Sequence, residues 1–208
     1  MNARGLLTAV LTVIPLTAAA STPYFPPLAK GDSWAYAVEQ GPADKTSTLT
    51  LNGVEVRKKS KGQLVFGSFD PKNARDKRSL DVMHTVDMNT CVADPFTGAM
   101  LRQGARCEQA PAADEVWRGD LKIDQRTLQI ETTFKGREEI TVGAGTFNAL
   151  KFVCSGAFLN SEGQKFALLE TTYWYAAEVR GLVKIDSRAT TRDGVQLFIA
   201  ALESFPAK

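Results

Sequence analysis

The stretch "KFALLETTYWY", residues 165–175, carries large residues on both of its alternating faces. Phe166, Leu168, Thr172 and Trp174 fall on one parity, and Leu169, Thr171, Tyr173 and Tyr175 on the other. Successive side chains of a strand point to opposite sides, so an open sheet with one wet face shows a cleaner division into apolar and polar. The pattern therefore predicts a strand whose second face is covered by a curled sheet edge, a loop or a ligand. Immediately downstream, Arg180-Gly181 is a turn signal, and "GLVKIDSRATT" begins another apolar run.

The same period extends along most of the chain. "SWAYAVE" sets Trp34, Tyr36 and Val38 on one side. "TLTLNGVEVR" aligns Leu49, Leu51, Val54 and Val56 if Asn52-Gly53 is a turn or bulge. "LKIDQRTLQIETTF" alternates up to a break at Lys135-Gly136, and "VQLFIAALESF" closes the series. About nine or ten strands with short connections predict an all-β fold, an antiparallel curved sheet forming a partial or closed barrel. The best helical candidate is "DPKNARDKRSLDVM", where Asp70 suits a cap and Pro71 the first turn. Residues 89–119 are the least strand-like.

At the beginning of the chain, Arg4, the apolar run Leu6–Leu16 and Ala18-Ala19-Ala20 have the layout of a secretory signal peptide, with cleavage expected after Ala20. The apolar run is too short to span a bilayer, which takes roughly 20 residues. Residues 1–20 are read as signal peptide and 21–208 as a single β domain, periplasmic or secreted, with no transmembrane anchor. Losing Arg4, the one charge in that segment, takes the formal net charge from +2 to +1. So balanced a chain lacks the basic excess that nucleic acid requires, and no nucleic acid is expected as a partner. The run Arg57-Lys58-Lys59-Ser60-Lys61 reads as a solvated hairpin end.

Thiols tend to pair in an oxidising compartment. Cys91 and Cys107 bracket a Gly-, Pro- and Asp-containing loop and are expected to form a disulfide. Cys154 shares the parity of Leu150 and Phe152, which predicts a buried apolar position rather than a nucleophile.

Little points to catalysis. His84 is the single histidine, and Asp81 and Asp87 alternate away from it at strand spacing, so no metal site is expected. There is no G-x-S-x-G turn. "GAGTF", residues 143–147, lacks the Lys-Ser/Thr ending of a phosphate loop and reads as a hairpin turn. Glu138 and Glu139 are adjacent on a strand and face opposite ways. The expectation is a protein that is no enzyme and carries no cofactor.

"GTFNALKFVCSG" followed by "YWYAAEVRGLVKID" resembles a pattern in a family of exported bacterial β-rich proteins of uncharacterised function. In that pattern a Gly-Thr-Phe turn opens a strand and a Trp-Tyr…Gly-x-Val-Lys hairpin follows. "KGDSWAYAV" is similar to the opening strand of the same group. The resemblance implies an antiparallel β fold in the envelope and supplies no catalytic residues. The aromatic residues are the candidate site: Trp34, Tyr36, Tyr173 and Trp174, wall of a pocket for an apolar or amphipathic small molecule, or simply a core layer. The alternative function is an envelope accessory that docks a protein partner through a sheet edge or the 91–107 loop.

Overall fold

The structure is a computed structural model and describes residues 24–45, 48–59, 63–73, 81–123 and 126–206. The expected signal peptide lies outside the described residues. So do 60–62, the tip of the basic run, and 74–80, the middle of the helical candidate. Among the described residues no helix is long and apolar enough to cross a membrane.

Twelve strands are present among these residues: β1 (Ser33–Pro42), β2 (Thr48–Lys59), β3 (Gln63–Phe69), β4 (Asp81–Asp87), β5 (Thr90–Ala93), β6 (Met100–Gln103), β7 (Val116–Ile123), β8 (Arg126–Val142), β9 (Gly145–Leu159), β10 (Lys165–Ala176), β11 (Gly181–Thr191) and β12 (Gly194–Ser204). Ten of them form one antiparallel sheet in the order β4-β3-β2-β1-β12-β11-β10-β9-β8-β7, curved and left open between β4 and β7. The described residues of the 70–83 segment, 70–73 and 81–83, are not α-helical. They form a single 3-10 turn at Pro71–Asn73 and the beginning of β4, because the alternation from Asp81 onward is strand-like and is satisfied by pairing with β3.

Of two expected irregularities, one is absent and one is present. β2 runs straight through Asn52-Gly53, so Leu49 and Leu51 fall on the outer face, 70% and 36% exposed, while Val54 and Val56 are fully buried. With a period of two, one undisturbed strand cannot place both pairs on the same side. Gly53 is covered by the cross-strand ring of Phe69, whose Cζ would lie 2.5 Å from an added Cβ. At Lys135-Gly136 the expected break in alternation is present: the register shifts between Phe134 and Arg137, although β8 continues through it.

The order of the sheet explains how its concave face is covered. The two chain-terminal strands, β1 and β12, pair in the middle of the sheet, and the edges are β4 and β7. Those edges are consecutive in the main-sheet path, so residues 88–115 must cross from one edge to the other. They cross beneath the concave face. There β5 and β6 pair with each other, and the Cys91–Cys107 disulfide ties β5 to the 3-10 turn Gly104–Cys107. The least strand-like part of the sequence is thus the plug of the molecule, with Cys91, Val92 and Leu101 buried against the sheet.

Residues 24–32 complete the cover. Phe25 is fully buried among the rings of Phe152 and Tyr175, and its N–H donates to the Cys107 carbonyl at 2.8 Å. Burying such a ring contributes about 1.5–3 kcal/mol. The Arg102 guanidinium, 2% exposed, lies 4.8 Å from the Phe25 centroid and donates to the Arg106 carbonyl, with Glu115 at 3.6 Å. Burial lowers its proton affinity, and Glu115 opposes that shift.

Candidate functional site

The aromatic residues singled out from the sequence divide between two faces. β1 is separated from β10 by β12 and β11, so Trp34 and Tyr36 are not strand neighbours of Tyr173 and Trp174, as closure of the sheet would have made them. Trp34 and Tyr36 instead clasp the turn between β10 and β11: the indole N–H donates to the Val179 carbonyl and the phenol to the Leu182 carbonyl, both at 2.9 Å. Gly181 lies directly under the indole, where an added Cβ would stand 2.6 Å from Trp34 Nε1. The space lined by both rings amounts to about 10 Å³, too small for an organic ligand.

Trp174 lies on the opposite, convex side, where its ring is still buried. Its N–H donates to Glu138 Oε2 at 2.9 Å, and the Lys151 and Lys184 ammonium groups lie 5.6 and 5.1 Å from its ring. Hydrogen bonds from Lys151 and Trp174 hold the Glu138 carboxyl below its ordinary range. Tyr173, one position away, points into the concave side, as the period of two demands. Of the four candidates it alone borders the apolar cavity described next.

That cavity measures about 270 Å³. Leu128 and Ile130 of β8, Cys154 and Phe158 of β9, and Leu169, Thr171 and Tyr173 of β10 form one wall. Ile185 and Ser187 of β11 with Phe198 of β12 continue it, and the 94–99 loop of the plug closes the other side. Ile130, Phe158, Leu169 and Phe198 are half-buried, so the cavity has a mouth along that rim. An engineered cavity of about 150 Å³ is enough to take up benzene.

The 94–99 loop is rigidly built. Asp94 Oδ1 accepts from the N–H groups of Phe96 (2.8 Å) and Thr97 (3.3 Å), and Oδ2 accepts from the Thr97 hydroxyl (2.7 Å) and the Tyr173 phenol (3.2 Å). Gly98, at φ 74°, lets the chain return so that the Asp94 N–H reaches the Ala99 carbonyl at 2.9 Å. His84 Nε2 donates to the Phe96 carbonyl at 2.6 Å. The single histidine therefore latches the plug to β4. The Phe96 ring meets Tyr36 and Phe198 edge-on.

Burial raises the Asp94 carboxyl above its ordinary value, with its hydrogen bonds opposing the shift. It also raises the Cys154 thiol and the Tyr173 and Tyr36 phenols. Raised thiols and phenols are the opposite of what an activated nucleophile needs. Among the described residues no cluster of His, Cys, Asp and Glu could hold a metal ion. What this arrangement can do is enclose an apolar group.

Sequence reasoning missed most of the lining. Cys154 was legible as a buried position, and it forms part of the wall. The bulk on both faces of 165–175 was the available signal for Leu169 and Thr171. Nothing in the sequence indicated that Asp94 and Phe96 would meet them.

No protein-family profile matches the chain, and no curated protein matches it. Among solved structures, "a putative lipoprotein from Parabacteroides distasonis ATCC 8503" is 13% identical, with 88% of this chain and 99% of that one covered and a TM-score of 0.48. A "putative exported protein with YmcC-like fold" from Bacteroides fragilis NCTC 9343 is 13% identical, with 89% of this chain and 100% of that one covered and a TM-score of 0.45. A LolA superfamily protein from Nitrosomonas europaea is 9% identical, with 86% of each chain covered and a TM-score of 0.34. These are loose likenesses of shape, and no ligand or activity is carried over from them.

Proposed function

We propose that this chain is an exported, non-catalytic binding protein of the bacterial envelope that takes an apolar or amphipathic small molecule into the cavity beneath its concave face. The observation that carries this reading is the cavity itself, about 270 Å³ and lined chiefly by Leu, Ile and Phe side chains. A folded interior is normally filled to crystal-like density, so an apolar space of this size with a rim of half-buried side chains is a binding feature. Export is supported by the N-terminal apolar run and by the Cys91–Cys107 disulfide, which belongs to an oxidising compartment.

The alternative, docking of an envelope protein through the 91–107 loop, draws less support. The loop turns its apolar residues inward, leaving little of them to meet a partner.

The test is mass spectrometry of an organic extract of the purified protein, compared with Leu169→Trp, which places an indole in the mouth. A stoichiometric apolar compound in the parent and its loss from the variant are expected. Equal amounts in both, or none in either together with no uptake of an added apolar fluorophore, would end the proposal.

A further inference from the structure

We propose that the ligand is an apolar chain ending in an anionic group, a carboxylate or a phosphate, with the chain in the cavity and the anion in a groove between β6 and β7. This rests on the proposed binding function and adds the head group and its place.

The groove begins where the cavity ends. Ala99 and Ile130 line both spaces, and Ile130 belongs to the half-buried rim of the cavity. The groove measures about 180 Å³. Its space has a cause in the sequence. Gly119 of β7 pairs with Ile130 of β8 and shares the inward parity of the buried Trp117, but it places no side chain there. An added Cβ at position 119 would meet nothing within 4 Å.

The two spaces differ in charge. Among the described residues the cavity lining holds no Lys, Arg or His, and a carboxylate inside it would sit near Asp94 without a counter-ion. The groove lining holds Arg102, Arg106 and Arg118 against one acid, Asp120. Arg118 is paired with Glu131 at 2.6 Å, and Arg102 lies 3.6 Å from Glu115. Arg106 is exposed and has no ion-pair partner among the described residues, so its guanidinium is the charge left to meet a ligand.

A second observation points to the same place. Arg102 Nη1 and Trp117 Nε1, both on residues that line the groove, are buried donors without a hydrogen-bond partner among the described residues. Buried donors are nearly always satisfied, so two orphans on one wall call for an acceptor from outside the chain. A carboxylate or phosphate accepts several hydrogen bonds at once and suits a guanidinium better than a neutral group does. The chain then extends past Ile130 onto the Leu and Phe wall. Scaled from a benzene-holding cavity of about 150 Å³, the cavity takes about ten carbon atoms.

The experiment uses the purified protein at pH 8 with N-phenyl-1-naphthylamine as a neutral fluorescent probe. The probe is displaced by decanoate, decyl phosphate, decan-1-ol or decyltrimethylammonium, all below micelle formation, and by acetate as a head without a chain. Decanoate and decyl phosphate are expected to compete at least about tenfold more strongly than the alcohol and the ammonium compound, and acetate not at all. The alcohol is the more readily buried of the two, so a preference for decanoate has to come from the groove. Arg106→Gln is expected to narrow that preference to within about threefold. Gly119→Leu, which stands a side chain in the groove, is expected to narrow it as well.

Decan-1-ol or decyltrimethylammonium equal to decanoate, or a preference unchanged in Arg106→Gln, overturns the head-group assignment while leaving apolar binding intact. Acetate as effective as decanoate overturns the placing of the chain in the cavity. Failure of the probe and of every chain compound to bind overturns the binding function as well. The comparison of head groups is made on the unaltered protein, so it decides the matter even if a variant does not fold.

Discussion

Replacing both Cys91 and Cys107 with alanine tests how the plug is held. β5 and β6 pair only with each other, so side-chain packing and the cross-link, rather than a main-chain ladder, keep this insert on the sheet. The bond spans a sequence separation of 16. For a closed loop of about 17 residues, the chain-entropy relation removes roughly 10.5 cal/mol/K from the unfolded ensemble, or about 3 kcal/mol at 25 °C. In a protein of this size, where 1 kcal/mol moves Tm by about 2–4 °C, the double variant is expected to melt about 6–12 °C lower. Urea unfolding followed by tryptophan fluorescence measures the loss, because Trp34 and Trp117 are both buried in the core. The oxidised parent and the variant are compared under identical conditions. A loss below about 1 kcal/mol would refute the reasoning by showing that the loop ends stay together without the bond. A loss above about 6 kcal/mol would refute it in the other direction, since loop entropy alone cannot supply that much.

Gly181→Ala is expected to cost about 2–4 kcal/mol in urea unfolding, because the new methyl would press on Trp34 and strain its buried bond to the Val179 carbonyl. An unchanged midpoint would show that the indole has room to move. His84→Ala removes the latch on the Phe96 carbonyl and is expected to cost about 1 kcal/mol, with faster amide hydrogen exchange confined to the 94–99 loop. Exchange unchanged there would remove the latch from the account. Asp94 has a folded-state proton affinity raised above the unfolded value, so its contribution is most favourable below the unfolded pKa and declines as pH rises through the folded one. Relative to Asp94→Asn, the parent should therefore lose stability as pH rises above the ordinary carboxylate range. Its titratable neighbours Tyr36, Tyr173 and Cys154 are all raised and stay neutral over that range. A difference that grows with pH would contradict the assignment.

Particular residues show where sequence reasoning stops. Tyr173 and Trp174 are adjacent and chemically alike in reading, yet one borders the cavity and the other caps the convex face between two lysines. Alternation predicts that they diverge, but not which of them faces inward when both parities are bulky. Leu49 and Leu51 were misplaced by a single presumed bulge at Asn52-Gly53, since a shift of one residue exchanges the faces of a whole strand. Lys135-Gly136 was the reverse case, a true irregularity that interrupts the register without ending β8.

From the amino-acid order alone come the strand-rich character, the pairing of Cys91 with Cys107 and the buried setting of Cys154. All of these depend on local periodicity, composition or a short loop closure, and such quantities are written within a few residues of one another. The sheet order, the pairing of β1 with β12, the passage of residues 88–115 beneath the concave face and the meeting of Asp94 with Tyr173 belong to the tertiary structure. They depend on which distant strands exchange hydrogen bonds, and a repeat of two residues contains no record of its partner across the sheet.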